Sequence, residues 1–206
     1  MRLSILLTLI LILNSCSAQK SLEVNIKPTE FDSIKHNSIF QIDIVNYQMV
    51  QLIEYQNGEF QGSLSHSVWK TNRKEEQKEK ITQKIKTPNV TVEKLIRELR
   101  TGGIENLKDC EEVEGCIIGL DGTTISFSIH KNGINKSASY WELKSDYYYK
   151  TNSVKIPSEV HEARKLFSIV DNKIDFKKQF ENFITKLPIG KYMYNGIIME
   201  KKKNVW

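Results

Sequence analysis

Three cysteines and four histidines carry most of the reactive chemistry in this 206-residue chain. Cys110 and Cys116 lie in the stretch DCEEVEGC, while Cys16 stands alone near the N-terminus. The pair is spaced for a small disulfide loop, since EEVEG can turn and Gly115 relieves steric limits beside the second cysteine. Two free thiols, or redox or metal use, are the other readings. The pair is not a CxxC motif, and no histidine or third cysteine stands beside it to complete a ligand set. His36, His66, His130 and His161 are scattered singly, outside any HExxH array. Ser65-His66-Ser67 has the residue types of a nucleophile and its base, but neighbours along a strand point to opposite faces and form no triad. Glu111, Glu112 and Glu114 lack the spacing of a calcium loop. No G-x-S-x-G elbow, GxxxxGK loop or dinucleotide fingerprint occurs, so no cofactor and no metal site is expected. A hydrolytic site would have to bring distant residues together, for instance His130 or His66 with a carboxylate.

The stretch SYWELKSDYYYK gathers Tyr140, Trp141, Tyr147, Tyr148 and Tyr149. Tyr and Trp combine large contact area with a polar handle, which favours them at interfaces. The five are therefore expected to form a binding rim for an envelope protein, peptide or glycan. Ordinary sheet packing plus a loop is the plainer account.

The N-terminus reads MRLSILLTLILILNSCSAQKS. Arg2 supplies positive charge, Leu3 to Leu13 are apolar apart from Ser4 and Thr8, and small residues come next, the layout of an export signal. Eleven residues reach only about 16 Å as a helix, against a hydrocarbon core of roughly 30 Å, so a permanent span is not expected. Leu13-Asn14-Ser15-Cys16 resembles the lipobox of bacterial lipoprotein signal peptides, with Asn14 a less usual residue in its middle position. The resemblance covers sixteen residues and implies that Cys16 becomes the acylated first residue of the mature chain, a membrane anchor of several acyl chains. Ser17 after it resembles the outer-membrane class; the leaflet is not specified. The competing reading is cleavage after Ala18, which discards Cys16 and starts the chain at Gln19. Either way the chain enters an oxidising compartment, where a Cys110–Cys116 disulfide can persist.

Composition bounds the size and class of the folded body. About 190 residues remain after the signal, enough for one good-sized core. At 39% hydrophobic and 27% charged the chain has the balance of a folded protein. Its net charge of +5 is mild, and the lysines of KTNRKEEQKEKITQKIK are interspersed with Glu. That pattern marks a solvated face rather than a nucleic-acid surface.

The elements that must position these residues are read from periodicity. IFQIDIV places Phe40, Ile42 and Ile44 on one strand face, and Asn57-Gly58 sits between two strand-like arms as a hairpin turn. The polar stretch from Thr71 to Lys86, with Ile81 and Ile85 four apart, suggests a solvent-facing helix. Thr91 then caps a short helix with Val92, Leu95, Ile96 and Leu99 as its stripe, ended by Gly102-Gly103. CIIGL, TTISFSI and NKSASYWEL, separated by Asp121-Gly122 and Asn132-Gly133, read as a three-strand meander with a Ser/Thr face. Two further helices carry the stripes Val160, Ala163, Phe167, Val170 and Phe176, Phe180, Phe183, Leu187, broken at Asp171-Asn172. YMYNGIIM adds a small hairpin before an exposed basic tail.

The expected organisation is a signal peptide over 1–15, a lipidated tether or edge segment over 16–38, and one α+β domain over 39–206. In that domain two or three helices cover an antiparallel sheet in two layers. The expected role is a lipoprotein binding or interaction module of the bacterial cell envelope, more binding protein than enzyme. An envelope hydrolase, or a protective or inhibitory partner of an exported enzyme, is the alternative.

Overall fold

The computed structural model describes residues 23–24, 27–45 and 47–202. Cys16 and the expected signal segment lie outside the described residues. Among the described residues no helix is long and apolar enough to cross a membrane.

Alternating apolar residues build one curled antiparallel sheet. In β2 (His36–Ile44), Phe40, Ile42 and Ile44 face inward, as a period of two requires. β3 (Gln48–Tyr55) and β4 (Phe60–Thr71) form a hairpin around Asn57-Gly58, with Gly58 at φ 81°. β6 (Thr124–Lys131) and β7 (Ile134–Trp141) form a second hairpin and dock against β2. β8 (Gly190–Tyr194) and β9 (Ile197–Lys201) form a third, and β8 pairs with the far half of β4, beyond the end of β3. With β5 (Gln77–Thr87) and the two-residue β1 (Glu23–Val24), the main path of the sheet runs β1-β5-β4-β3-β2-β6-β7.

Helices cover one face of this sheet. α1 (Asn89–Thr101) buries Val92, Leu95, Ile96 and Leu99, and the long α3 (Ser158–Ile174) buries its own stripe beside it. α4 (Phe176–Lys186) packs Phe180 and Phe183 over Val68, Ile81 and Tyr192. α2 (Tyr147–Thr151) is a single short turn. Each fully buried Leu or Phe contributes about 1.5–3 kcal/mol. This is the two-layer α+β arrangement that the patterning predicts.

Arg100, in the last turn of α1, ties helix to sheet. Its Nη2 donates to Glu54 Oε2 at 2.5 Å and to Ser38 Oγ at 3.0 Å, and its guanidinium lies 5.4 Å from the Phe40 ring centre. Burial works to raise the Glu54 carboxyl, but the hydrogen bonds from Arg100 and Ser38, with the Arg100 charge, hold it below its usual range.

Several local expectations are corrected. The polar stretch 71–86 is not a helix: it is the end of β4, a turn, and β5, because Ile81 and Ile85 also fit a strand and β4 offers a long antiparallel partner. CIIGL is not a strand, so the meander is a two-strand hairpin. α1 starts after Pro88, whose carbonyl accepts from Thr91 and Val92 N–H groups; Thr91 is not its cap. The helix break falls at Asp175 (φ 55°) rather than Asp171-Asn172, and Asp171 Oδ1 instead accepts from Phe176 N at 3.1 Å across the break. Within the terminal lysines, Lys201 is no free tail: its Nζ donates to Leu187 O at 2.6 Å and to Thr185 O, capping the end of α4.

Candidate functional site

The five aromatics of SYWELKSDYYYK divide between core and surface. Tyr140 is 1% exposed and Tyr149 5%, whereas Tyr147 is 65% exposed. The division reflects local geometry. Along β7, Tyr140 stands opposite Ile125 on the core face, so Trp141 must point the other way. Along α2 successive side chains turn by about 100°, so Tyr149 points in and Tyr147 out. The expected rim of five is therefore a cluster of three.

The buried pair still shapes the site. Tyr140 Oη donates to Lys108 O at 2.5 Å, and its burial, with Asp109 nearby, pushes its phenol well above the usual range. Tyr149 Oη accepts from Ile117 N at 3.3 Å. Both bonds hold the segment between them, which carries the Cys110–Cys116 disulfide. The bond joins residues with Cα atoms 5.5 Å apart, as the spacing predicts. Asp109 anchors the same loop, accepting from Glu111 N at 2.9 Å and from Ser139 N of β7 at 2.8 Å. In a loop this short the cross-link contributes about 2 kcal/mol through chain entropy.

Beyond the disulfide, CIIGLDG lies over the Trp141 indole. Trp141 Nε1 donates to Asp121 O at 2.6 Å, and the ring packs against Tyr148 at 4.3 Å between centres. Tyr147 meets Tyr148 edge-on at 5.1 Å. Gly119 sits so close to the indole that a Cβ there would fall 2.3 Å from Cε2 of Trp141. The residues on either side of Gly119 project outward: Ile118 is 59% exposed and Leu120 fully so. Trp141, Tyr147, Tyr148, Ile118 and Leu120 thus make an apolar ledge. Sequence reasoning missed Ile118 and Leu120 because it placed CIIGL in a strand; the glycines at 119 and 122 were the signal of an irregular loop.

Arg164 of α3 fixes the turn beneath the ledge. Its Nε donates to Leu143 O at 2.6 Å, Nη1 to Asp146 Oδ1 at 2.7 Å and Nη2 to Ser145 O at 2.9 Å. The Arg164 hydrogen bond holds the Asp146 carboxyl below its usual range. A planar fork satisfying three acceptors sets the path from β7 into α2 and thereby the direction of Tyr147.

The histidines do not assemble. His36 is buried and its Nδ1 accepts from Asp32 N at 3.0 Å; His130 stacks on Phe31 at 6.5 Å. His66 faces α4, opposite to Ser65 and Ser67, and Ser67 Oγ lies 3.0 Å from Thr82 Oγ1. Among the described residues, no histidine has a carboxylate in hydrogen-bond reach, and no group of three or more His, Cys, Asp and Glu side chains is placed to hold a metal ion. The hydrolase alternative therefore has no support among the described residues. On the Ser/Thr face, Ser126 pairs with Ser139 at 2.9 Å and Ser128 with Ser137 at 3.4 Å, so these hydroxyls bond one another across the hairpin.

Compared with known proteins, the chain matches no protein-family model, and no curated protein matches it.

Proposed function

We propose that this chain is an interaction module of the bacterial cell envelope, anchored by acylated Cys16 as an outer-membrane lipoprotein, and that its ledge docks a partner protein. The observation that carries the second part is the outward projection of Ile118 and Leu120 from a loop clamped on Trp141. Apolar side chains held outward beside surface aromatics are characteristic of interaction sites. Ile118 and Leu120 offer a sugar no hydrogen bonds, so a protein or peptide surface fits the ledge better than a glycan.

The docking reading is tested by comparing wild type with Leu120→Asp in affinity purification from gently solubilised envelopes. A specific partner recovered by wild type and lost by at least tenfold in the variant, with matched thermal unfolding, is the expected outcome. Equal recovery by both proteins rejects the ledge. Anchoring is tested separately by intact mass: the expected mature chain begins at Cys16 with acyl mass added, and Cys16→Ser releases the protein from the membrane fraction. An unmodified chain beginning at Gln19 rejects it.

A further inference from the structure

The break between α3 and α4 leaves a cleft at the end of the sheet, separate from the ledge. Ile44 and Ile125, at the ends of β2 and β6, form its floor, and Phe167, Phe176 and Phe180 form its helical wall. Tyr47 and Tyr194 close the side nearest β8. Its volume is about 450 Å³. That lies within the range of small-molecule sites.

The cleft is held open by rigid groups. Gln48 Nε2 donates to Phe176 O at 2.8 Å, which fixes the elbow at Asp175 to β3. Phe167 and Phe176 stack at 5.5 Å. Tyr47, Phe180 and Tyr194 brace one another at 4.9–5.4 Å. Aromatic rings locked in this way cannot collapse into the space.

The polar groups around the cleft narrow the ligand class. Its charged rim is already matched: Glu142 Oε1 accepts from Thr123 N, Lys144 lies 3.7 Å from Asp171, and Lys177 lies 4.0 Å from Glu181. Tyr47 and Tyr194 stand between this cleft and a second depression beside β8, and neither hydroxyl hydrogen-bonds another described residue. Burial, with Tyr194 nearby, raises the Tyr47 phenol above its ordinary value, which keeps it a neutral donor. We infer that the cleft binds an uncharged, ring-bodied small molecule of about 15–20 non-hydrogen atoms that presents one hydrogen-bonding oxygen to Tyr47 and Tyr194.

Fluorescence titration of the whole chain tests this with three probes of similar ring body. N-phenyl-1-naphthylamine is uncharged and lacks an acceptor oxygen, anilinonaphthalene sulfonate adds a negative charge, and prodan is uncharged with a ketone oxygen. Prodan is expected to bind saturably at one site with a blue-shifted emission. The sulfonate is expected to bind at least tenfold more weakly than its uncharged parent. The Tyr47→Phe/Tyr194→Phe double variant, which preserves both rings, should weaken prodan about tenfold and leave N-phenyl-1-naphthylamine within about twofold. Ile125→Trp, which fills the floor, should abolish both, with thermal unfolding confirming that it folds. Absence of saturable one-site binding, sulfonate binding as tight as its parent, or prodan affinity unchanged in the double tyrosine variant would each overturn the inference.

Discussion

Between pH 6.5 and about 4 the protein is expected to lose about 3 kcal/mol of folding stability through His66 alone. The imidazole is fully buried, stacked on Phe183 at 5.5 Å and tilted against Phe180. Gln48 Nε2, which also donates to Phe176 O, lies 3.3 Å from His66 Nδ1. Nδ1 therefore serves as acceptor and the ring proton resides on Nε2, which has no partner among the described residues. Burial, helped by the Lys186 charge, pushes the imidazole down to about 4. The folded value lies below the unfolded one, so the unfolded chain binds the extra proton first. Stability is complete above pH 6.5, falls as pH falls, and levels off below about 4. About 2 kcal/mol is lost by pH 5, where most carboxylates are still ionised. Urea unfolding at pH 7.5, 6 and 5 should show this slope in wild type and a much flatter one in His66→Leu. Parallel curves would mean that the imidazole is solvated or paired in solution. Glu54 and Asp146 act in a different window: their depressed carboxyls contribute stability above about pH 4.5 that is lost as pH falls further.

Gly119→Val is expected to destabilise the protein by roughly 2–3 kcal/mol and to abolish the partner binding proposed for the ledge. The new Cβ would meet the indole of Trp141 at 2.3–2.7 Å, far inside van der Waals contact. The ring has no simple escape, because Nε1 is bonded to Asp121 O and its face is against Tyr148. Either the loop lifts or the indole leaves; both disperse Ile118, Leu120 and Tyr148. A double-mutant cycle isolates the cause. In a Trp141→Ala background the valine should cost less than about 1 kcal/mol, giving a coupling of at least about 1 kcal/mol. Near-ultraviolet circular dichroism of the single variant should show the indole leaving its ordered environment. Additive stability losses would show that loop and indole do not constrain one another.

Local chemistry dictates the features that were legible in the sequence. Asn57-Gly58, Asn132-Gly133 and Asn195-Gly196 each place a glycine at positive φ in a hairpin turn, a demand that depends on no distant residue. The stripes of α1, α3 and α4 were legible because a helix repeats its buried face every three or four residues. Ile81 and Ile85 were not decisive, since a spacing of four suits a strand as well as a helix. What decides is β4, which extends past β3 and supplies β5 with a partner along its whole length. CIIGL failed for the complementary reason. A tight turn at Asp121-Gly122 would return it beside β6, but both edges of β6 are taken, by β2 and β7. With no edge of β6 to pair with, the segment lies over Trp141 and turns Ile118 and Leu120 outward.

The sequence by itself determined the α+β class, the three long helices and the hairpin turns, and made the Cys110–Cys116 disulfide the expected pairing, because these stem from periodicity, backbone chirality and short-range closure. The tertiary structure alone decided that the aromatic cluster splits, with Tyr140 and Tyr149 in the core and Trp141, Tyr147 and Tyr148 outside. It also decided that Ile118 and Leu120 join the outer three, and that His66 is fully buried against Gln48. The reason in each case is the same: burial and exposure depend on which sheet edges and faces other parts of the chain have already occupied.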